Sequence, residues 1–343
     1  MANLLLTSSC NPSCPSGFAG NETSGPTVGQ LLSWENLIYM ADFLWASGQR
    51  QISLGGEEPT RHPQCVDFIL YLLDRGFDVT LGTDGILSPS RLEEFRHHLA
   101  EVPMERLHLV CNLHDPVQPP VSAHDTQRLH RFLAVMGPWT QGGFTINRLD
   151  FSLDFLFEAI SRFGLQRQLR LGLAHPVPGS QAGFIHAEEM RRVVERLYEH
   201  RQLFETYRVR PDLDCGWPLC KFSDAELGWL HRFRSHAPGG CGPAFAISPD
   251  MRVYHCLPLS HYQRKSLFEF DSMEQLNQHF AHLRDEINAE IAGIYAACDG
   301  CRSREDGGCD GGGLCQIVSR GLGEAPGRHA GGEDGISQDR LPR

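Results

Sequence analysis

The feature that most constrains the fold is a regular alternation of short apolar segments with longer amphipathic segments along the first half of the chain. The longer segments repeat apolar residues at helical spacing, as at Leu37, Ala41 and Leu44. Strands that alternate with helices in this way pair in parallel, with the helices outside the sheet. The sequence therefore predicts an α/β fold with six strand–helix units. The predicted strands lie at residues 4–7, 51–54, 77–81, 107–111, 143–146 and 168–173.

Two architectures fit six such units, namely a partial (β/α)6 barrel resembling a TIM barrel and an open doubly wound sheet. In both, the functional surface lies at the carboxyl ends of the strands. The polar residues Asn112 and Asn147 follow two of these ends. They could bind a ribose or a carboxylate there, or they could initiate turns and cap helices. We count both as candidate cofactor-binding residues.

The chain changes character after a predicted helix at residues 187–201. Residues 205–317 are richer in Cys, Gly and short turns, and the segment 245–254 is predicted to form a β-hairpin. The last residues are rich in Gly, Asp and Arg. We therefore predict a barrel domain at 1–204, a small cysteine-rich α+β domain at 205–317, called the tail below, and a disordered C-terminal segment at 318–343.

The overall charge and hydropathy exclude several classes of partner. The formal net charge is -11, so a broad basic surface for nucleic acid is not expected. No apolar run is long enough to cross a bilayer. The start of the chain also lacks the positive region and the long apolar region of a secretory signal. We expect a cytoplasmic protein without a membrane or nucleic-acid partner.

Twelve cysteines are unevenly distributed along the chain, and eight of them fall between residues 215 and 315. In a reducing compartment, clustered cysteines point to metal rather than to disulfides. Cys65 and Cys111 stand apart from the clusters. The candidate metal ligands are Cys10, Cys14, Cys215, Cys220, Cys241, Cys256, Cys298, Cys301, Cys309 and Cys315.

The loop after the first predicted strand contains a cysteine pattern with one interruption. Three residues separate Cys10 from Cys14, and the next position of the pattern is Gly17. Asn, Pro and Phe follow these three positions as Asn11, Pro15 and Phe18. The loop resembles the CxxxCxxC loop of radical S-adenosylmethionine (radical SAM) enzymes, with Gly17 in the place of the third cysteine.

In that family three thiolates hold a [4Fe–4S] cluster, whose fourth iron binds S-adenosylmethionine and whose reduction yields a 5′-deoxyadenosyl radical. Thiolate suits such clusters because it is a soft donor. Gly17 has no donor atom, so the loop offers two ligands and the core cluster site is impaired. Either Cys65 or Cys111 supplies the missing ligand, or both are ordinary buried thiols.

The loop after the second predicted strand reads GGEEPT at residues 55–60 and resembles the GGEPT segment of the same family. Aligned from Glu58, the segment has Glu57 where the second glycine belongs; aligned from Gly55, it has one inserted residue. Glycines there let the backbone approach the methionyl group closely. The resemblance implies that the cofactor is bound by Gly55, Gly56, Glu57, Glu58 and Pro59.

The cysteines of the tail resemble the SPASM arrangement, in which paired cysteines flank a hairpin and a later group of four completes auxiliary [4Fe–4S] clusters. Cys241 and Cys256 flank the predicted hairpin here. The resemblance implies one site with Cys220, Cys241, Cys256 and Cys315. A second site would contain Cys298, Cys301 and Cys309, with Cys215 or an outside ligand. Zinc is the alternative metal, held by the last four cysteines.

Three functions are compatible with these features. SPASM-bearing relatives commonly modify ribosomally made peptides, which implies a radical enzyme with a peptide or protein substrate and a reductant protein as partner. A second possibility is a non-catalytic relative that keeps its tail metals and serves as a binding or scaffold partner. The third is a zinc-stabilised binding module on an unrelated βα core. Gly17 and Glu57 favour the second for the chemistry.

Overall fold

The structure is a computed structural model, and it leaves several segments undescribed. Seven residues of the family resemblance lie outside the described part, namely Cys10, Asn11, Cys14, Pro15, Gly17, Phe18 and Glu57. The described residues are 2–7, 30–56, 58–116, 122–175, 183–235, 238–242, 244–260 and 262–323.

Within these residues ten strands form a single sheet in the order β10-β9-β8-β1-β2-β3-β4-β5-β6-β7. Each neighbouring pair from β8 through β1 to β7 is parallel, and the pairs β8–β9 and β9–β10 are antiparallel. The strands are β1 Ala2–Thr7, β2 Gln51–Gly56, β3 Asp78–Thr83, β4 Leu107–Asn112, β5 Thr140–Ile146, β6 Gln168–Leu173, β7 Arg210–Leu213, β8 Ala246–Ile247, β9 Arg252–Tyr254 and β10 Lys265–Ser266.

The same ranges contain eleven α-helices, several of which begin at a serine cap. The side-chain oxygens of Ser33, Ser88 and Ser122 each accept a hydrogen bond from a backbone N–H of the first turn. The helices are α1 Trp34–Ala46, α2 Cys65–Asp74, α3 Pro89–Leu99, α4 Ala123–Met136, α5 Asp154–Phe163, α6 Met190–Glu199, α7 Arg201–Tyr207, α8 Asp224–Arg232, α9 Met273–Glu290, α10 Arg302–Glu305 and α11 Leu314–Gly323.

The predicted alternation of parallel strands and helices is confirmed, and a seventh strand adds to the six predicted. Leu54, Leu81 and Leu109 lie in register on neighbouring strands and are fully buried in the core shared with the helices. The additional strand β7 pairs with β6 and lies beyond residue 204. The barrel sheet therefore continues past the boundary predicted from the composition.

The two ends of the sheet approach each other, which decides between the two predicted architectures. Cys215 follows β7 at one end, and Cys241 precedes β8 near the other end. The thiol of Cys241 is close enough to that of Cys215 to raise its pKa, together with burial. An open doubly wound sheet holds its edges apart, so this contact requires a sheet curved into a partial barrel.

The cysteine-rich tail is joined to the barrel through the sheet itself. β8 pairs in parallel with β1, and the backbone N–H of Asn3 donates to the carbonyl oxygen of Phe245 at 2.7 Å. The tail also ends in α11, where Ile317 and Val318 are buried in a core formed by tail residues. The helix α11 continues to Gly323, so the prediction of disorder from residue 318 onward is wrong for 318–323.

None of the helices in the described ranges combines the length with the apolar composition needed to cross a bilayer.

Candidate cofactor and metal sites

The loop after β2 is organised around the carboxylate of Glu58. Its Oε1 accepts hydrogen bonds from the backbone N–H of Thr60 at 3.0 Å, from the Thr60 hydroxyl at 2.6 Å and from the Thr83 hydroxyl at 2.9 Å. Its Oε2 accepts from the backbone N–H of Asp84 at 2.7 Å. The side chain is buried, and Pro59 beside it is buried as well. Glu58 thus joins the rim of β2 to the rim of β3.

The pKa of Glu58 is raised to about 8 by burial and, to a smaller extent, by the nearby charge of Asp84, while the donors from Thr60 and Asp84 act in the opposite direction. The carboxyl group is fully committed to protein donors in this arrangement. A role for Glu58 and Pro59 in cofactor binding remains a prediction, and it would have to involve the backbone of the loop.

Gly56 has a structural reason to be glycine. It pairs with Thr7 of β1 and has a φ of +118°, a left-handed conformation that side chains rarely adopt. A β-carbon at this position would lie 2.7 Å from the carbonyl oxygen of Thr7. Gly55 is less restricted, since its nearest neighbour would be a leucine methyl at 3.8 Å. The close approach of β1 and β2 therefore explains Gly56 without any ligand.

The inner face of the barrel sheet carries half-buried polar side chains, whereas the outer face is buried against the helices. Ser53, Thr80 and His108 lie in register on neighbouring strands and form one polar row of this inner face. Closer to the mouth, Asn112 is in register with Gly143, and Gly143 with Arg170. The inner face is therefore suited to a polar ligand.

Two glycines make room for polar side chains at the mouth. A β-carbon on Gly143 would lie 2.8 Å from Oδ1 of Asn112, and one on Gly172 would lie 2.8 Å from Oδ2 of Asp214. Arg170 clamps the Asp214 carboxylate with Nε to Oδ1 at 2.9 Å and Nη2 to Oδ2 at 2.7 Å. Oδ1 of Asn112 is buried without a hydrogen-bond partner among the described residues.

The loops after β4 and β5 are held together by an ion pair at the same rim. Nη2 of Arg148 lies 2.7 Å from Oδ2 of Asp115, whose side chain is buried. Asn147 beside it is half-buried. The structure therefore places Asn112 and Asn147, as predicted, on adjacent strand ends of the barrel mouth. Their binding of a cofactor remains a prediction.

Four tail thiols gather beside the end of β7 and are called site A, comprising Cys215, Cys241, Cys256 and Cys315. The Cys241 sulfur accepts a hydrogen bond from the backbone N–H of Leu314 at 3.2 Å. Burial and the proximity of Cys315 and Cys215 raise the pKa of Cys256. Burial and the nearby Cys215 raise the pKa of Cys315 to about 12. Cys241 and Cys315 are buried, whereas Cys215 is exposed. A metal bound at Cys256 and Cys315 would displace the protons of these two thiols.

Four further thiols line a cavity of about 340 Å³ and are called site B, comprising Cys220, Cys298, Cys301 and Cys309. Burial raises the pKa of Cys220, and the neighbouring Cys298 and Cys309 raise it further, against the opposite effect of Lys221. The ammonium of Lys221 lies 4.0 Å from the centre of the Tyr295 ring, which fixes this wall of the cavity.

The grouping of the tail thiols differs from the predicted pairing in one exchange, and the pairing on metals stays a prediction. The sequence placed Cys220 with Cys241, Cys256 and Cys315, whereas the structure places Cys215 there and Cys220 at site B. The chain turns at Gly216, which has a φ of +91°, and buries Trp217 before Cys220. This turn directs two thiols only five positions apart to different sites.

In the described part of the chain, no group of three or more His, Cys, Asp or Glu side chains converges on a single metal ion. Sites A and B nevertheless fit a [4Fe–4S] cluster in donor chemistry, since each offers four thiols and each thiolate of such a cluster binds a different iron.

Cys65 and Cys111 belong to the core between the sheet and the helices. Both are fully buried, and burial raises the pKa of each thiol. The sulfur of Cys111 would lie 2.9 Å from a β-carbon on Gly85, beside Phe132 of α4. Cys111 therefore points to the outer face, away from the inner face that carries Asn112. Of the two predicted roles, the buried thiol fits this geometry.

No protein family model matches the chain, and no curated protein sequence matches it either. Several solved structures, however, resemble the chain in fold. The structure of anSMEcpe with bound AdoMet has a TM-score of 0.63 and 13% identity, over 92% of this chain and 86% of that one. SuiB from Streptococcus suis with S-adenosylmethionine has a TM-score of 0.56 and 11% identity, over 80% of this chain and 65% of SuiB.

A second SuiB structure, bound to its precursor peptide SuiA, has a TM-score of 0.57 and 12% identity, over 80% of this chain and 64% of SuiB. The chain thus spans somewhat less than two thirds of SuiB. These similarities show that the chain shares the fold of these S-adenosylmethionine-bound and peptide-bound structures.

The raised pKa of Glu58 predicts a pH dependence of stability. Its folded pKa of about 8 lies above the ordinary 4.5, so the folded state holds the proton more tightly than the unfolded state. This contribution is complete below pH 4.5 and is lost as the pH rises through 8. We expect the free energy of unfolding in urea to fall from pH 6 to pH 9, and to fall less in Glu58→Gln. An equal fall in both proteins would contradict the assignment.

The space above Gly172 gives a second prediction. In Gly172→Ala the new β-carbon displaces the Asp214 carboxylate from Arg170, and such overpacking costs about 1–3 kcal/mol of unfolding free energy. Gly82→Ala is a matched control on the same inner face, because its β-carbon would meet nothing closer than 3.9 Å. Urea unfolding of both variants measures the difference. A Gly172→Ala protein as stable as Gly82→Ala would show that the carboxylate does not occupy this space.

Proposed function

We propose that the chain is an iron–sulfur protein of the radical SAM type, with two [4Fe–4S] clusters in its tail and a peptide substrate at the barrel mouth. The grouping of eight tail thiols into sites A and B carries this proposal. Each site combines thiols that are distant in the sequence, and each offers the four soft donors that such a cluster takes. Two complete sets of four are difficult to explain by the packing of free thiols alone.

Zinc is the competing metal, and site B offers an argument against it. Its cavity of about 340 Å³ is far larger than a single ion, while a four-iron cluster fills more of the space between the thiols. The pKa values of Cys220, Cys256 and Cys315 are raised in the metal-free chain, so loading either site releases protons. We assign a [4Fe–4S] cluster to each site.

The barrel mouth is the proposed place for S-adenosylmethionine. The backbone at the end of β2, at Gly55 and Gly56, and that of Glu57 after it would meet its methionyl group, and Glu58 joins this part of the chain to β3. The unpartnered Oδ1 of Asn112 would accept a hydrogen bond from the cosubstrate, with Asn147 on the next strand end. In relatives, the cosubstrate bound to a reduced cluster supplies a radical that abstracts a hydrogen atom from the substrate.

A peptide is the proposed substrate, with a reductant protein as the electron source. The inner face supports a peptide because its polar groups can pair with backbone amides and with polar side chains. Thr145 is half-buried there, and the Arg170 and Asp214 side chains remain 43% and 31% exposed. The SuiB structure that contains its precursor peptide provides the precedent for this class of ligand.

A non-catalytic role is the second candidate, and Gly17 favours it. With two thiols, Cys10 and Cys14, the first loop offers one ligand fewer than a site-differentiated cluster requires. Cys65 and Cys111 lie on the helix-packed side of the sheet and do not replace the missing ligand without a rearrangement. In this case the chain would keep its tail clusters and act as a binding or scaffold partner.

The assignment of the tail sites predicts how iron is divided between them. In anaerobically purified full-length protein, Cys256→Ala should lose the iron of site A, and Cys301→Ala should lose that of site B. Each variant should retain the other cluster. Cys65→Ala is the control, because it removes a core thiol that belongs to neither site. It should keep the full iron and sulfide content. Zinc instead of iron in the wild type would contradict the proposal, as would the loss of both clusters in either variant.

The first loop gives a separate prediction for catalysis. We expect dithionite-reduced wild type to form little 5′-deoxyadenosine from S-adenosylmethionine, because Gly17 supplies no ligand. Gly17→Cys should raise both the bound iron and the yield of 5′-deoxyadenosine, and Gly17→Ser is the control that adds a side chain without a thiol. Rapid cleavage of S-adenosylmethionine by the wild type would show that the core site is intact.

A further inference from the structure

His175 lies just beyond the end of β6, at the rim of the barrel, and its ring reaches the first thiol of the tail. The imidazole lies beside the thiol of Cys215, which belongs to site A, and acts to lower the pKa of that thiol against the larger raising effects of Cys241 and of burial. A β-carbon on Gly216 would lie 2.8 Å from Cε1 of the ring. The ring therefore occupies the space that a side chain at position 216 would need.

The described residues supply no hydrogen bond that fixes the ring from the barrel side. Its Nδ1 is buried and has no hydrogen-bond partner among the described residues. Its Nε2 lies on the side of Gly216, 3.6 Å from the position of that β-carbon. The φ of Gly216 is +91°, so the chain passes the ring in a conformation that glycine accommodates best. The contacts that the described residues give the ring are thus with the Cys215–Gly216 segment.

We propose that His175 is a positioning residue for site A, whose imidazole N–H donates a hydrogen bond to the Cys215 sulfur while that sulfur binds iron. This inference rests on the proposed function, which places a [4Fe–4S] cluster at site A. A neutral imidazole can carry its single proton on the nitrogen that faces the sulfur, and a metal-bound thiolate is an acceptor without a proton of its own. The contact thus persists when the thiol loses its proton to iron.

Such a hydrogen bond has a defined electronic effect. Reduction adds negative charge to the cluster and its thiolates, and a donor aimed at one sulfur stabilises that charge. Hydrogen bonds to cluster sulfurs are among the factors that set reduction potentials. His175 therefore raises the midpoint potential of site A. Since the ring belongs to the barrel rim, it also links that rim to the tail cluster.

The test is a reductive titration of full-length reconstituted protein, followed by electron paramagnetic resonance. The signal of site A is identified as the one that is missing in Cys256→Ala. In His175→Leu we expect its midpoint potential to become more negative, with the site B signal and the iron content unchanged. In His175→Gln, whose amide can donate to the same sulfur, the potential should lie between the two. His114→Leu, at the end of β4 and away from the tail thiols, should leave both signals unchanged.

The outcomes separate the two proposals. If Cys256→Ala removes no iron, the assignment of a cluster to site A has failed, and His175 has nothing to tune. If the wild type holds that cluster and His175→Leu leaves its potential unchanged, the role of His175 is overturned while the proposed function stands. An equal shift in His114→Leu would overturn it too.

Discussion

The closure of the sheet is the constraint on which the rest of this molecule depends. Strand β7 lies at one edge of the sheet and the β8–β9 hairpin lies close to the other. Site A takes Cys215 from beyond the first and Cys241 and Cys256 from either side of the second. Without the curvature of the parallel strands these thiols would be a full sheet width apart. The barrel therefore assembles the site, and the contact between its edges is the direct sign of that curvature.

The same closure explains why the tail should not be regarded as a separate appendage. β8 extends the barrel sheet next to β1, so the cysteine-rich segment is hydrogen-bonded to the first strand of the chain. On the other side, Tyr295 of the tail donates a hydrogen bond to the carbonyl oxygen of Ala187, at the start of the segment leading to α6. Barrel and tail thus share backbone hydrogen bonds, and the geometry of the thiols depends on both.

Much of the fold could be predicted from the sequence, because the alternation of short apolar segments with longer segments of helical apolar spacing is a local signal. The six predicted strands and their helices were found within a few residues of their positions. Strand β7 was missed because Arg210, Pro211 and Asp212 give no apolar pattern. A strand at the edge of a sheet, which pairs on one side only, can form without such a pattern. The helical end of the tail was missed because the buried faces of Ile317 and Val318 become visible only with their packing partners.

The candidate sites were predictable in number but not in detail. Eight tail cysteines indicated two sites of four, yet the spacing could not decide between Cys215 and Cys220, since a single glycine turn separates them. Glu58 was expected to face a cofactor, and its carboxylate instead binds donors from Thr83 and Asp84. That contact depends on the distance between two strand ends. The role of Gly143 and Gly172 at the barrel mouth could not be predicted from the sequence, because each glycine makes room for a side chain at the end of a neighbouring strand.

The pairing of β1 with β8 has a consequence for how this protein emerges from the ribosome. The partner of Asn3 on that side is Phe245, and the two positions are 242 apart in the sequence. During synthesis the outer edge of β1 stays open while most of the barrel is made, and an open edge is where strands of different nascent chains can join. Contacts of such long range also form slowly. Producing the intact protein therefore favours slow translation at low temperature over a strong burst of expression.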